Sequence, residues 1–180
     1  MPSSRAERPA PEAADSSALT APADERWGSG PPGYRRWETS TVLGHGDDAW
    51  AWVGEELLRW GVKTRSGFTV TPRAPAEAGQ RPVIMAHAFG LSVREPVEVI
   101  AVVRQPDRIG FAYRTLPGHP VSGEEAFIAH REGDSVLLTI RSLTRPGDRA
   151  MWRAAFPALL VAQQVARRRY VRALRMRAAR

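Results

Sequence analysis

The stretch Arg108-Ile109-Gly110-Phe111-Ala112-Tyr113-Arg114-Thr115-Leu116, Pro117-Gly118-His119-Pro120-Val121-Ser122-Gly123, Glu124-Glu125-Ala126-Phe127-Ile128-Ala129-His130-Arg131 decides how this chain folds. Its outer parts alternate with the period of two that a half-buried strand requires. Its middle holds Pro117, Gly118, Pro120 and Gly123, which fix the backbone of a tight turn. Along the first part Ile109, Phe111, Tyr113 and Thr115 share one face, opposite Gly110, Ala112, Arg114 and Leu116. Along the last, Glu124, Ala126, Ile128 and His130 oppose Glu125, Phe127, Ala129 and Arg131. The reading is an antiparallel hairpin whose turn carries a histidine, a hydroxyl and two adjacent carboxylates.

Outward from this hairpin the pattern extends both ways. Residues 34–43 alternate, with Trp37, Thr39, Thr41 and Leu43 on one face, and predict a first strand ended by Gly44-His45-Gly46. A helix follows, capped by Asp47 or Asp48, with Trp50, Val53, Leu57 and Leu58 as its apolar stripe, and closed after Trp60 by Gly61. Further strands are expected at 67–72, 82–89, 97–104, 108–116, 124–131 and 135–143. Gln105-Pro106-Asp107 and Glu132-Gly133-Asp134 have the composition of tight turns and imply hairpins. Residues 149–179 predict a long helix with Trp152, Phe156, Leu159, Gln163, Ala166, Tyr170 and Leu174 along one face. Pro157 is expected to kink or divide that helix.

The order is strand, short helix, about six more strands, long helix. One face of such a sheet needs a cover, and the terminal helix is the largest amphipathic element available. The expected class is α+β, a helix-grip layout in which an antiparallel sheet of about six or seven strands wraps around a long C-terminal helix. An elongated pocket between sheet and helix is expected. Residues 1–26 are rich in Ala, Pro, Ser and charge, too polar to offset the entropy of ordering. The expected division is an unstructured tail over 1–32 and one helix-grip domain over 33–180.

The chain has 180 residues and no cysteine, which excludes disulfides, thiolate metal sites and a cysteine nucleophile. Its net charge of +7 is unevenly placed: residues 1–33 carry −2, residues 34–148 are balanced, and residues 149–180 carry +9. Of 26 basic residues, 25 are arginine and Lys63 is the exception, a bias read as genomic composition. No apolar run approaches the ~20 residues of a membrane-spanning helix. Charges interrupt the N-terminus where a secretory signal needs an apolar run, so a cytoplasmic location is expected.

Gly33-Tyr34-Arg35, Leu43-Gly44-His45-Gly46, the segment from Trp60 to Gly67, and above all Leu116-Pro117-Gly118-His119-Pro120 with Gly123-Glu124-Glu125-Ala126-Phe127 carry a family resemblance. Over about residues 30–180 the chain resembles uncharacterised protein family UPF0548, the DUF1990 domain, grouped with START-like and pollen-allergen-like helix-grip proteins. The first 26 residues lie outside the resemblance. That family has no established activity. Relatives in the wider group bind lipids, steroids or polyketides and occasionally act as cyclases, so the resemblance implies a small hydrophobic ligand without giving a reaction.

The candidate ligand-binding residues are Phe111, Tyr113, Thr115, His119, Ser122, Glu124 and Glu125. One of the two glutamates must face inward, and register decides which. An inward glutamate near His119 would form a proton-transfer pair, making His119, Glu124 and Glu125 the catalytic candidates of a cyclase, dehydratase or hydrolase. Against this stands a structural reading, in which His119 and one glutamate bond backbone amides of the turn and the other glutamate pairs with Arg114. His45 is read as a turn residue and His87 as a core or pocket-lining histidine. No histidine pair or carboxylate run has metal-site spacing, so no metal and no cofactor are expected. Seven arginines in the last 14 residues suggest contact with an anionic membrane surface more than with nucleic acid, or simply a solvated helix face.

Overall fold

The computed structural model describes residues 18–88 and 91–175. The elements are β1 (Arg35–His45), α1 (Gly46–Leu58), α2 (Gly61–Thr64), β2 (Phe68–Thr71), β3 (Val83–Ala88), β4 (Leu91–Arg104), β5 (Arg108–Thr115), β6 (Val121–Glu132), β7 (Ser135–Pro146) and α3 (Ala150–Ala173). They build a seven-stranded sheet in the order β1-β7-β6-β5-β4-β3-β2. Every pairing is antiparallel. β3 to β7 follow one another as hairpins, β1 adds to β7, and α1 with α2 carries the chain across to β2 at the opposite edge. Register shifts at Val42/Gly44 and Val99/Ala101 add bulges, which bend strands and increase twist.

All three helices cover the same face. Val53 and Leu57 of α1, Phe111 and Phe127 of the sheet, and Tyr170 and Leu174 of α3 belong to one buried cluster. The face of α3 expected to be buried is the one turned toward the sheet, with Tyr170 fully covered. This is the helix-grip arrangement, reached from the alternation of the strands and the spacing along α3.

Several local expectations are corrected. α3 continues as one helix through Pro157, which removes one backbone donor without ending the element. Neither Asp47 nor Asp48 caps α1. His45 occupies the cap position without a side-chain bond, and both aspartates lie in the first turn, where they complement the helix dipole. Gly61 does not close α1 either. Trp60 takes the left-handed conformation (φ 63°), and Gly61 opens α2. A Cβ on residue 61 would lie 2.6 Å from the Glu56 carbonyl oxygen, so this close turn requires glycine. β4 begins at Leu91 rather than at residue 97, running through Pro96, whose carbonyl accepts the Leu116 amide at 2.9 Å. β6 begins at Val121, so part of the expected turn is strand.

Part of the expected unstructured tail lies against the sheet. Residues 1–17 lie outside the described residues, but from Ala18 the chain lies on the other face of the sheet. There Ala18 packs with Ala101, Ala112, Ala126 and Ile128. Arg108 donates to the carbonyls of Pro22 and Asp24, both at 2.7 Å, and Arg141 to that of Glu25 at 2.8 Å. The segment is fixed by arginines bonding its backbone, a force that hydrophobic composition does not register.

Candidate functional site

The turn after β5 orients its histidine. The His119 amide donates to the Leu116 carbonyl at 3.1 Å, and the Val121 amide donates to His119 Nδ1 at 3.1 Å. An accepting Nδ1 places the ring proton on Nε2. That nitrogen lies 4.0 Å from Glu95 Oε2, and the His119 side chain is only 8% exposed. Burial, reinforced by the charge of Lys63, pushes His119 down to about 4, so the ring is neutral at physiological pH. Burial also pushes Glu95 up to about 6, against the pull of Lys63 and with the repulsion of Glu125.

Gly123 lets β6 run close beside β7. Its φ is 155°, and a Cβ there would meet the Leu143 carbonyl oxygen at 1.8 Å. The strand alternation that follows turns Glu125 inward and Glu124 outward. Glu125 Oε2 accepts Lys63 Nζ at 2.9 Å and the Tyr113 hydroxyl in a short hydrogen bond. Lys63 Nζ also donates to the Tyr170 hydroxyl oxygen at 2.6 Å. The Lys63 side chain is 3% exposed and its ammonium stands 4.6 Å from the Tyr170 ring centre. Burial opposes both charges of this pair. The Glu125 carboxylate overrides it and holds Lys63 well above its ordinary range. Lys63 and the Tyr113 hydroxyl hold Glu125 below its own. Burial raises both tyrosines, so their hydroxyls stay protonated.

This cluster lies at a cavity of about 630 Å³ between the sheet and α3. Phe68, Val121, Leu143, Leu159, Ala162 and Ala166 are among its apolar lining. Lys63, Glu95, Tyr113, His119, Glu125 and Tyr170 supply polar groups to the same space. The arrangement combines an apolar body with a few oriented hydrogen-bonding groups, the usual composition of a small-molecule site.

Of the residues expected at the site, Tyr113, Thr115, His119, Glu124 and Glu125 border this cavity, Glu124 without turning its carboxylate into it. Thr115 Oγ1 accepts the Gly123 amide at 3.0 Å. Phe111 instead packs in the core, with its ring centre 4.6 Å from that of Trp60. Ser122 faces the other way and accepts from Arg145 at 3.2 Å. The Glu124 carboxylate is also on the far face, where it accepts the Thr20 amide at 3.1 Å. Arg114 pairs with Glu98 at 2.6 Å, not with Glu124 or Glu125. His45 is exposed. His87 is exposed rather than in the core, but it does border the cavity, and it bonds Ser92 at 3.0 Å and Thr69 at 3.2 Å.

Sequence reasoning missed Lys63, Glu95 and Tyr170 as site residues. The signal for Lys63 was present: it is the single lysine among 25 arginines. A compact ammonium with three donors fits where a planar guanidinium would not reproduce its contacts. Glu95 was hidden because Pro96 suggested that the strand began later. Within the arginine-rich helix, Arg167 stacks on Trp37 at 3.9 Å, and Arg169 donates to the Ser66 carbonyl at 3.4 Å. Arg177 and Arg180 lie outside the described residues. No helix among the described residues is long and apolar enough to cross a membrane.

Comparison with known proteins gives the fold and the family. A hypothetical protein of Helicobacter pylori, jhp0584, superposes with a TM-score of 0.58 at 11% identity, covering 78% of this chain and 86% of that one. The structure of Ara h 8.0201 superposes with a TM-score of 0.50 at 8% identity, covering 79% of this chain and 99% of that one. At such identities the likeness concerns the fold alone. A UPF0548 protein of Deinococcus radiodurans is 40% identical over 77 residues, 42% of this chain and 38% of that protein. The chain thus matches well under half the length of that relative. The family described as "Domain of unknown function (DUF1990)" matches residues 16–173, beginning in the N-terminal segment that the sequence resemblance had left out. With the alternating strands, the covering helix and nearly the whole chain matched, this protein belongs to the DUF1990 family.

Proposed function

We propose that the chain is a binding module that holds a small, largely apolar molecule between its sheet and α3. The observation that carries this reading is the cavity of about 630 Å³, apolar along its walls and polar at the Lys63–Glu125 cluster. A core built only for stability would fill such a space, because voids forfeit packing energy. Tyr113, Thr115, His119 and Glu125 serve as the polar side of the site, joined by Lys63, Glu95 and Tyr170. Val161 and Val165, both largely exposed on α3, also line the cavity and give an apolar ligand a route in.

Native mass spectrometry of freshly purified protein, compared with the same sample denatured, tests the reading. A discrete added mass that disappears on denaturation is the expected result. A bare mass, together with no uptake of apolar probes offered at their solubility limit, overturns it.

A further inference from the structure

Resting on that reading, we propose that the polar end of the cavity recognises a neutral carbonyl oxygen carried on an apolar body. Three donors at this end lack an acceptor among the described residues. The Tyr170 hydroxyl oxygen takes a hydrogen bond from Lys63 at 2.6 Å, which directs its own proton elsewhere. No acceptor for that proton lies within hydrogen-bonding reach among the described residues, although Tyr170 is only 3% exposed. Lys63 spends two of its three N–H groups, on Glu125 and Tyr170. His119 receives the Val121 amide at Nδ1, so its Nε2–H points away from the turn. Its nearest carboxylate, at 4.0 Å, is too distant for a hydrogen bond. All three residues line the same cavity. Buried donors left open in this way call for a ligand that supplies oxygen lone pairs.

Charge decides what kind of oxygen. Among the described residues lining the cavity, the buried cation Lys63 is already matched by Glu125 at 2.9 Å, while Arg169 is exposed and donates to the Ser66 carbonyl at 3.4 Å. Glu95 lines the same space and adds a second carboxylate. A ligand carboxylate or phosphate would bring a further negative charge into a site where Glu125 and Glu95 already balance Lys63 and Arg169, at a large desolvation cost. A carbonyl of a ketone, ester or amide brings two in-plane lone pairs and no charge. It also brings no proton that would need an acceptor of its own.

The test uses three probes with one aromatic body: ethylnaphthalene, acetylnaphthalene and naphthoate, each titrated calorimetrically into the full chain at neutral pH. The expected order is acetylnaphthalene about tenfold tighter than ethylnaphthalene, the effect of one well-placed hydrogen bond, with naphthoate weakest. Tyr170→Phe should erase the advantage of the ketone over the hydrocarbon, and the circular dichroism of the variant verifies the folded state. Equal binding of ketone and hydrocarbon would overturn the carbonyl assignment and leave the apolar cavity reading standing. Tightest binding of naphthoate would overturn it in favour of an anionic ligand. Binding of none of the three would overturn the cavity reading and this assignment together.

Discussion

The two faces of the sheet treat their buried polar groups in opposite ways. On the outer face, Arg141 is 1% exposed and bonds Glu38 at 2.8 Å and the Glu25 carbonyl at 2.8 Å, while Arg108 takes the carbonyls of Pro22 and Asp24. The polar recess of about 510 Å³ beside them is bordered by Glu25, Glu38, Arg108 and Arg141 among others, and these four are already engaged with the chain. On the inner face, Lys63, Tyr170 and His119 are equally sheltered, yet each keeps a donor turned to a larger cavity. Polar burial alone therefore does not mark a site. Where the chain answers its own polar groups, burial fixes structure. Where it leaves donors open beside apolar walls, burial leaves the arrangement on which the proposed ligand position rests.

The comparison breaks most sharply at Lys63. Lys63→Met should leave Glu125 unpaired among aromatic rings and cost about 3–5 kcal/mol of unfolding free energy. Adding Glu125→Gln should restore at least half of that loss, as read by chemical denaturation. A single variant of near wild-type stability would mean that the pair is not buried as described. On the outer face, Arg141→Ala should cost about 2–4 kcal/mol by removing charged hydrogen bonds to the N-terminal segment. It should also open residues 18–26 to limited proteolysis while probe binding in the cavity stays unchanged. Lost probe binding in that variant would show that the two faces are not independent.

A smaller effect has the opposite sign. Glu95, facing Lys63 from α2, Glu125 from β6 and His119 from the turn, is raised to about 6 in the folded protein by burial. The native state therefore holds this proton more tightly than the unfolded chain does. The stability it contributes is full below about pH 4.5 and lost as pH rises through about 6. Glu95→Gln should accordingly stabilise the protein by about 2 kcal/mol at neutral pH and give no gain at about pH 4. His119, depressed to about 4, works the other way. Its contribution is present above about pH 6.5 and lost as pH falls through about 4, so His119→Asn should flatten the acid limb of the stability curve. Smallest of all, Ser122→Ala on the outer face should change stability by no more than about 0.5 kcal/mol and leave ligand uptake untouched.

Much of the fold was legible because it rests on periodicity. Ile109, Phe111 and Tyr113 alternate as the strand requires, and Leu159, Gln163, Ala166 and Tyr170 recur as a helix face requires. The site was half legible. His119 and Glu125 were drawn together by the constrained turn, but alternation alone could not say which glutamate faced inward. What stayed hidden depends on contacts between residues far apart in the chain. Lys63 meets partners 62 and 107 residues away. The polar segment from residue 18 is held by arginines more than 80 residues distant. Neither contact leaves a local pattern, although a lone lysine in a chain of arginines was an overlooked sign.

The most direct measurement of the central claim is chemical-shift mapping of the backbone amides while acetylnaphthalene is added to the isotope-labelled chain. Perturbations should gather on the inner face, at Lys63, Phe68, His119, Glu125 and the cavity side of α3 around Leu159 to Tyr170. Arg108, His130 and Arg141 on the outer face should remain still. Perturbations centred on those outer residues, or absent from the inner face at saturating probe, would contradict it.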